Sequence, residues 1–172
     1  MKEYPWYEVV EDNGILQGDF IDSCPIVLPP KAVELRKVSA DVIEYDVVVM
    51  SQSCDLEQKK LELVLVCPIW PIKEFEEKNP SYKSNKMKEL LRNGYLPGYH
   101  LLNKCKINGF GTGYLVVDFR SVYSVPFNFL VDLAGRRVKR LRLLPPYREH
   151  LSQAFARFFM RVGLPVDIPP FK

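Results

Sequence analysis

The sequence predicts one α+β domain, mostly β, arranged as a compact barrel with a middle helix and a C-terminal helix. Three observations predict it. Val47-Val48-Val49-Met50 is an apolar run without alternation, as expected for a strand covered on both faces. Fourteen prolines in 172 residues favour short strands and sharp reversals over a helical bundle. Helical spacing is confined to two segments, while the short β-type runs between the turn signals outnumber them. The length suits a single domain, 1–172, with no internal repeat and no linker.

In chain order, residues 15–21 read as a first strand, with Gly18 permitting a bend. The prolines of residues 24–30 predict an irregular crossing. Residues 42–51 form the strongest strand. Residues 61–69 form the next, opening with Leu61, Leu63 and Leu65 in alternation. A loop, 54–60, joins them. Residues 81–93 predict a helix with Met87, Leu90 and Leu91 on a narrow stripe, closed by Gly94. Residues 99–113 carry no decisive pattern. Residues 114–120 predict a strand. Residues 122–131 predict another, broken at Pro126, which forms a hairpin with residues 137–144 through the turn Asp132-Leu133-Ala134-Gly135. The last helix, 147–162, aligns Leu151, Phe155, Phe158, Phe159 and Val162, and Gly163 and Pro165 end it.

The N-terminus lacks the apolar core of a signal peptide, and no apolar run spans a bilayer, so a cytoplasmic protein with no membrane partner is expected. The four cysteines, Cys24, Cys54, Cys67 and Cys105, are then reduced, and none forms a C-x-x-C pair. No cofactor and no resident metal is expected.

The net charge of +3 does not select a partner, but its distribution is uneven. Arg136, Arg137, Lys139, Arg140 and Arg142 crowd one strand. They read either as a solvated edge or as a phosphate-backbone footprint. Tyr123, Phe127 and Phe129 nearby would stack on unpaired bases or fill the core.

Ser51-Gln52-Ser53-Cys54-Asp55 ends the most buried predicted strand, where small polar side chains can project from a rigid scaffold. Ser51, Gln52 and Ser53 are candidate ligand contacts. The alternative is that Ser53 and Asp55 cap a turn while Cys54 packs as a small apolar residue. A nucleophilic cysteine needs a base, and the chain has two histidines, His100 and His150. The catalytic candidates are therefore Cys54, Asp55 and His100, which would also serve as metal donors. His150, in the first turn of the last helix, is expected to be neutral or structural. Asp118 and Arg120 share one strand face and predict a buried ion pair, or else a ligand contact beside Tyr123.

Three short motifs carry a family likeness. Gly18-Asp19-Phe20-Ile21, Val48-Val49-Met50-Ser51 and Val66-Cys67-Pro68-Ile69 resemble the G-D-I, V-V-L-S and V-P-I-T strands of PemK/MazF-type toxins. The final helix matches by position. The resemblance implies an SH3-like barrel and RNA as a partner. It does not imply that family's cleavage chemistry, which needs an arginine before the second strand and a threonine closing the third. Here Tyr45 and Asp46 stand in the first place and Trp70 in the second. The Ser-Gln-Ser-Cys-Asp loop and the Tyr147-Arg148-Glu149-His150-Leu151 helix start also look like an uncharacterised bacterial family. The sequence thus leads to a PemK/MazF-like, toxin–antitoxin-like barrel that binds RNA or a protein partner, a second copy of the chain included. The alternative is a hydrolase, an endoribonuclease-like enzyme or a metal-binding protein using Cys54, Asp55 and His100.

Overall fold

A computed structural model describes residues 4–30, 40–111 and 113–160. The strands are β1 (Tyr7–Val10), β2 (Phe20–Leu28), β3 (Asp41–Val49), β4 (Leu63–Pro71), β5 (Tyr99–Leu102), β6 (Leu115–Asp118), β7 (Tyr123–Pro126) and β8 (Arg140–Leu143). The helices are α1 (Ser53–Glu57), α2 (Ile72–Lys78), α3 (Asn85–Arg92), α4 (Phe127–Gly135) and α5 (Tyr147–Phe159). The class is α+β, with strand and helix in similar proportion rather than mostly β. The main sheet runs β2-β3-β4-β6-β5, with β7 beside β4, and it is not closed into a barrel.

β4 is the axis. One edge pairs with β3. The other takes β7 against Leu63–Val66 and then β6 against Ile69–Pro71. Alternation along β3 and β4 sends side chains into two cores. Val47, Val49, Val64 and Val66 join Ile21, Cys24 and Ile26 beneath Leu130 and Ala134 of α4. Val48, Cys67 and Ile69 join Phe20, Phe119 and Leu143 beneath Leu151 of α5, with Phe155 and Phe158 packed against them. The run 47–49 is therefore buried from both sides, as its composition predicts.

The N-terminal strand β1 and the basic strand β8 form a separate antiparallel pair, Tyr7 opposite Leu143 and Val10 opposite Arg140. Gly18 and Asp19 stitch this pair to the main sheet. Gly18 N–H donates to the Val49 carbonyl at 2.9 Å, Val49 N–H to the Asp19 carbonyl at 2.9 Å and Leu143 N–H to the Gly18 carbonyl at 2.9 Å. Gly18 has φ +86°, and a Cβ there would lie 3.1 Å from Leu143 Cβ. Only glycine meets both the backbone and the space requirement.

Three expectations are corrected. Residues 24–28 are not an irregular crossing but the second half of β2. Past Ile21 this is an edge strand, so Pro25 loses no ladder bond on its open side. A bulge between Ile21 and Cys24, with Ser23 at φ 47°, absorbs the register shift, and Asp46 accepts from Ser23 N–H at 2.9 Å. The hairpin of residues 122–131 with 137–144 does not form. Pro126 ends β7 and starts α4, because Phe127, Leu130, Val131 and Ala134 recur at helical spacing and cover the Val64–Val66 face. The loop 54–60 opens with the short helix α1. The middle helix is capped by Ser84, whose hydroxyl accepts from Met87 N–H at 3.3 Å, and Gly94 follows it at φ 71°. Val162, Gly163 and Pro165 lie outside the described residues. No helix of the described residues is long and apolar enough to cross a membrane.

Candidate functional site

The basic strand turns inward. Arg140 and Arg142 both close on Asp19, whose side chain is fully buried. Arg140 Nε donates to Asp19 Oδ2 at 3.0 Å, and Arg142 donates to both Asp19 oxygens. Arg140 also donates to the Gly14 and Asp12 carbonyls and pairs with the Asp12 carboxylate at 2.7 Å. The four side chains sum to zero formal charge, and the half-exposed Asp12 supplies the second negative charge that the buried Asp19 cannot give to two guanidinium groups. Partial burial raises the proton affinity of Asp12, but the Arg140 hydrogen bond and the two guanidinium charges outweigh it and hold Asp12 below the usual carboxylate range.

The basic footprint is thereby corrected at two of its five residues. Arg140 and Arg142 are core residues. Lys139 pairs with Glu11 at 3.1 Å, and Arg137 donates to the Asp22 carbonyl at 3.1 Å. Arg136 is the exposed C-cap of α4. The alternation of charge along 136–142 was legible, but its inward partner, Asp19, lies 121 positions away from Arg140.

The Ser51–Asp55 segment divides its labour. Ser51 is buried, and its hydroxyl accepts from Leu65 N–H at 2.9 Å. Ser53 Oγ accepts from Gln17 N–H at 3.2 Å, and Gln17 sends its amide to the Met50 carbonyl at 2.8 Å. The Ser53 and Gln17 bonds tie the residues after β3 to the turn before β2, and the Ser51 bond ties them to β4, so both serines satisfy backbone donors. Gln52 donates to Ser152 of α5 at 3.2 Å. Gln52, Ser53 and Cys54 face Arg148, Glu149 and Ser152 across a shallow cleft of about 380 Å³. His100 lines a different cavity, with His150, between β5 and α5. Cys54 and His100 thus line different cavities, and among the described residues no hydrogen bond joins Cys54, Asp55 and His100. Among the described residues no three His, Cys, Asp or Glu side chains converge as a metal donor set.

Asp118 and Arg120 do form an ion pair, Nε to Oδ1 at 3.1 Å. It is not buried as expected. β6 ends at Asp118, so the carboxylate is sheltered while the guanidinium stays half exposed, 4.4 Å over the Tyr99 ring. The pair spends its donors on itself, at the rim of a small cavity of about 170 Å³ with Trp70 and Lys78.

The remaining cysteines are structural. Burial pushes the Cys24 thiol up to about 11, and burial together with Asp118 pushes Cys67 up to about 12. Cys54 alone is exposed.

No protein-family model matches the chain, and no curated protein matches it in sequence.

One surface joins aromatic rings to lysines that form no ion pair among the described residues. The N-terminal segment Tyr4–Tyr7 packs against the start of α5, with Trp6 stacked on Tyr147 at 3.6 Å between centroids and 9° between planes. Tyr7 donates its hydroxyl to the Asn103 carbonyl. Between this segment and the loop after β5 lies a groove of about 320 Å³ lined by Tyr4, Trp6, Lys104 and Lys106, with no acidic residue on its walls among the described residues. Lys104 Nζ sits 4.9 Å from the Tyr114 ring centroid. Sequence reading missed this groove because its aromatics and its lysines are about a hundred positions apart.

Proposed function

We propose that the chain is a PemK/MazF-like scaffold, an SH3-like barrel left open along one seam, that binds single-stranded RNA in the cytoplasm without cutting it by that family's chemistry. The observation that carries the reading is the groove where Lys104 and Lys106 meet Tyr4 and Trp6. Lysines along a groove track a phosphate backbone, and exposed rings give unpaired bases a stacking surface. The groove takes over the role that the sequence assigned to the residues of β8. Titration with short single-stranded RNA, followed by Trp6 fluorescence against a Trp70→Phe background, tests it. Saturable quenching that the Lys104→Ala, Lys106→Ala double variant weakens supports the reading, and an unchanged signal at low salt sinks it.

A second reading, a protein partner, is favoured by the open seam. Pro25, Ile26 and Val27 of β2 and Tyr123–Pro126 of β7 line one apolar groove of about 690 Å³ with Leu63 and Phe129. Val27, Leu63 and Phe129 are 66%, 53% and 44% exposed, an apolar surface of the kind that marks interaction sites. Sedimentation of the purified protein at several concentrations separates self-association, with a second copy in the seam, from a monomer.

A further inference from the structure

We propose that the cavity between β5 and α5 is a binding site for a phosphate group, held by Arg157, Gln153 and His150 of α5 and by His100 of β5. The cavity encloses about 370 Å³ and both of the chain's histidines line it. His150, Gln153 and Arg157 recur at intervals of three and four, so they form one polar stripe along α5 beside the apolar stripe of Leu151, Phe155 and Phe158. None of the described residues lining the cavity is acidic. Among the described residues Arg157 forms no ion pair with a carboxylate. A guanidinium, an amide and an imidazole without a counter-ion are the donor set of an oxyanion site.

His100 gives the site its selectivity. Its ring is stacked near Phe119, 6.2 Å between centroids, which fixes it at the inner wall. Burial, with the neighbouring His150, pushes its proton affinity down to about 4, so the ring is uncharged at neutral pH. A neutral imidazole keeps one acceptor nitrogen. Hydrogen phosphate carries a P–OH that can donate to it, and sulfate does not. The ligand is therefore a phosphate group that still holds a proton: hydrogen phosphate at neutral pH, or a monoester at or below its second pKa of about 6.

The site is separate from the lysine groove, and the test keeps them apart. Protein labelled with 15N-histidine is titrated at a pH of about 6, where phosphate and a monoester both hold a proton, with inorganic phosphate, with a nucleoside 5′-monophosphate and with sulfate at matched ionic strength, and imidazole correlations are read. Saturable shifts of both histidines with phosphate or with the monoester, at least about tenfold weaker with sulfate, are expected. Tighter binding of the monoester identifies an esterified ligand, and tighter binding of inorganic phosphate identifies the free ion. Arg157→Gln, on an exposed helix face, weakens binding about tenfold or more, while the Lys104→Ala, Lys106→Ala double variant leaves it unchanged. Absent shifts, equal response to sulfate, or undiminished binding by Arg157→Gln overturns the proposal.

Discussion

Arg140 donates its Nε–H to Asp19 at 3.0 Å although 121 positions separate the two, and both side chains are withdrawn from solvent. The contact fastens β8 to the first turn of β2 and converts a seemingly basic surface strand into an interior one. Removing one partner strands the others: Asp19→Asn leaves two buried guanidinium groups short of a counter-charge. A loss of about 3–5 kcal/mol in urea unfolding is expected. Replacing Asp19, Arg140 and Arg142 together with apolar residues of similar volume should cost far less than Asp19→Asn alone, because desolvation then no longer opposes folding.

Gly18 supplies the backbone for that node. Gly18→Ala places a Cβ 3.1 Å from Leu143 Cβ and 3.2 Å from its carbonyl oxygen, in a left-handed conformation. A cost of about 2 kcal/mol or more, read as a lowered Tm, is expected. Gly94, at φ 71° but with nothing within 4 Å, should lose only the conformational component on substitution by alanine.

The depressed proton affinity of His100 makes stability depend on pH. Its folded value, about 4, lies below the ordinary histidine value of 6.5, so the unfolded chain binds more protons between the two. Stability is then complete above the unfolded value and declines as the pH falls from about 6.5 towards 4, by up to about 3 kcal/mol. Carboxylates such as Asp12 titrate in the acid range as well, so the comparison that isolates the histidine is denaturation of His100→Gln against the wild type. The variant's profile should be flatter over that window.

How much of this was legible follows from sequence distance. The doubly buried strand, the strand after it and the two predicted helices were readable, because periodicity is local. β8 was read as half of a hairpin with β7 because charge and turn residues were taken at face value. Its true partner, β1, is a four-residue strand containing Glu8, too short to show a pattern. α4 was hidden because Phe127, Phe129 and Val131 alternate as a strand would, and only the tertiary fit of Leu130 and Ala134 against the sheet decides for a helix. At the candidate site, Ser51 was read as closing the buried strand and lies two residues past β3, whereas Ser53, read as entering a loop, opens α1. Their capping partners, Leu65 and Gln17, are long-range and carry no sequence signal.

Cys54 is the one exposed thiol, so a native protein should react with a single equivalent of a thiol reagent while Cys24, Cys67 and Cys105 react only on unfolding. A Cys54→Ser variant should leave RNA binding unchanged, as measured by fluorescence anisotropy. A large loss of binding would return this loop to the functional surface.

The measurement that tests the account most directly is the salt dependence of single-stranded RNA binding by the wild type and by the Lys104→Ala, Lys106→Ala variant. Each phosphate neutralised contributes about 0.7 to the slope of log affinity against log salt. Weakened binding with a slope reduced by about 1.4 is the predicted result. Wild-type protein that does not bind at low salt, or a variant that binds with the wild-type slope, would contradict it.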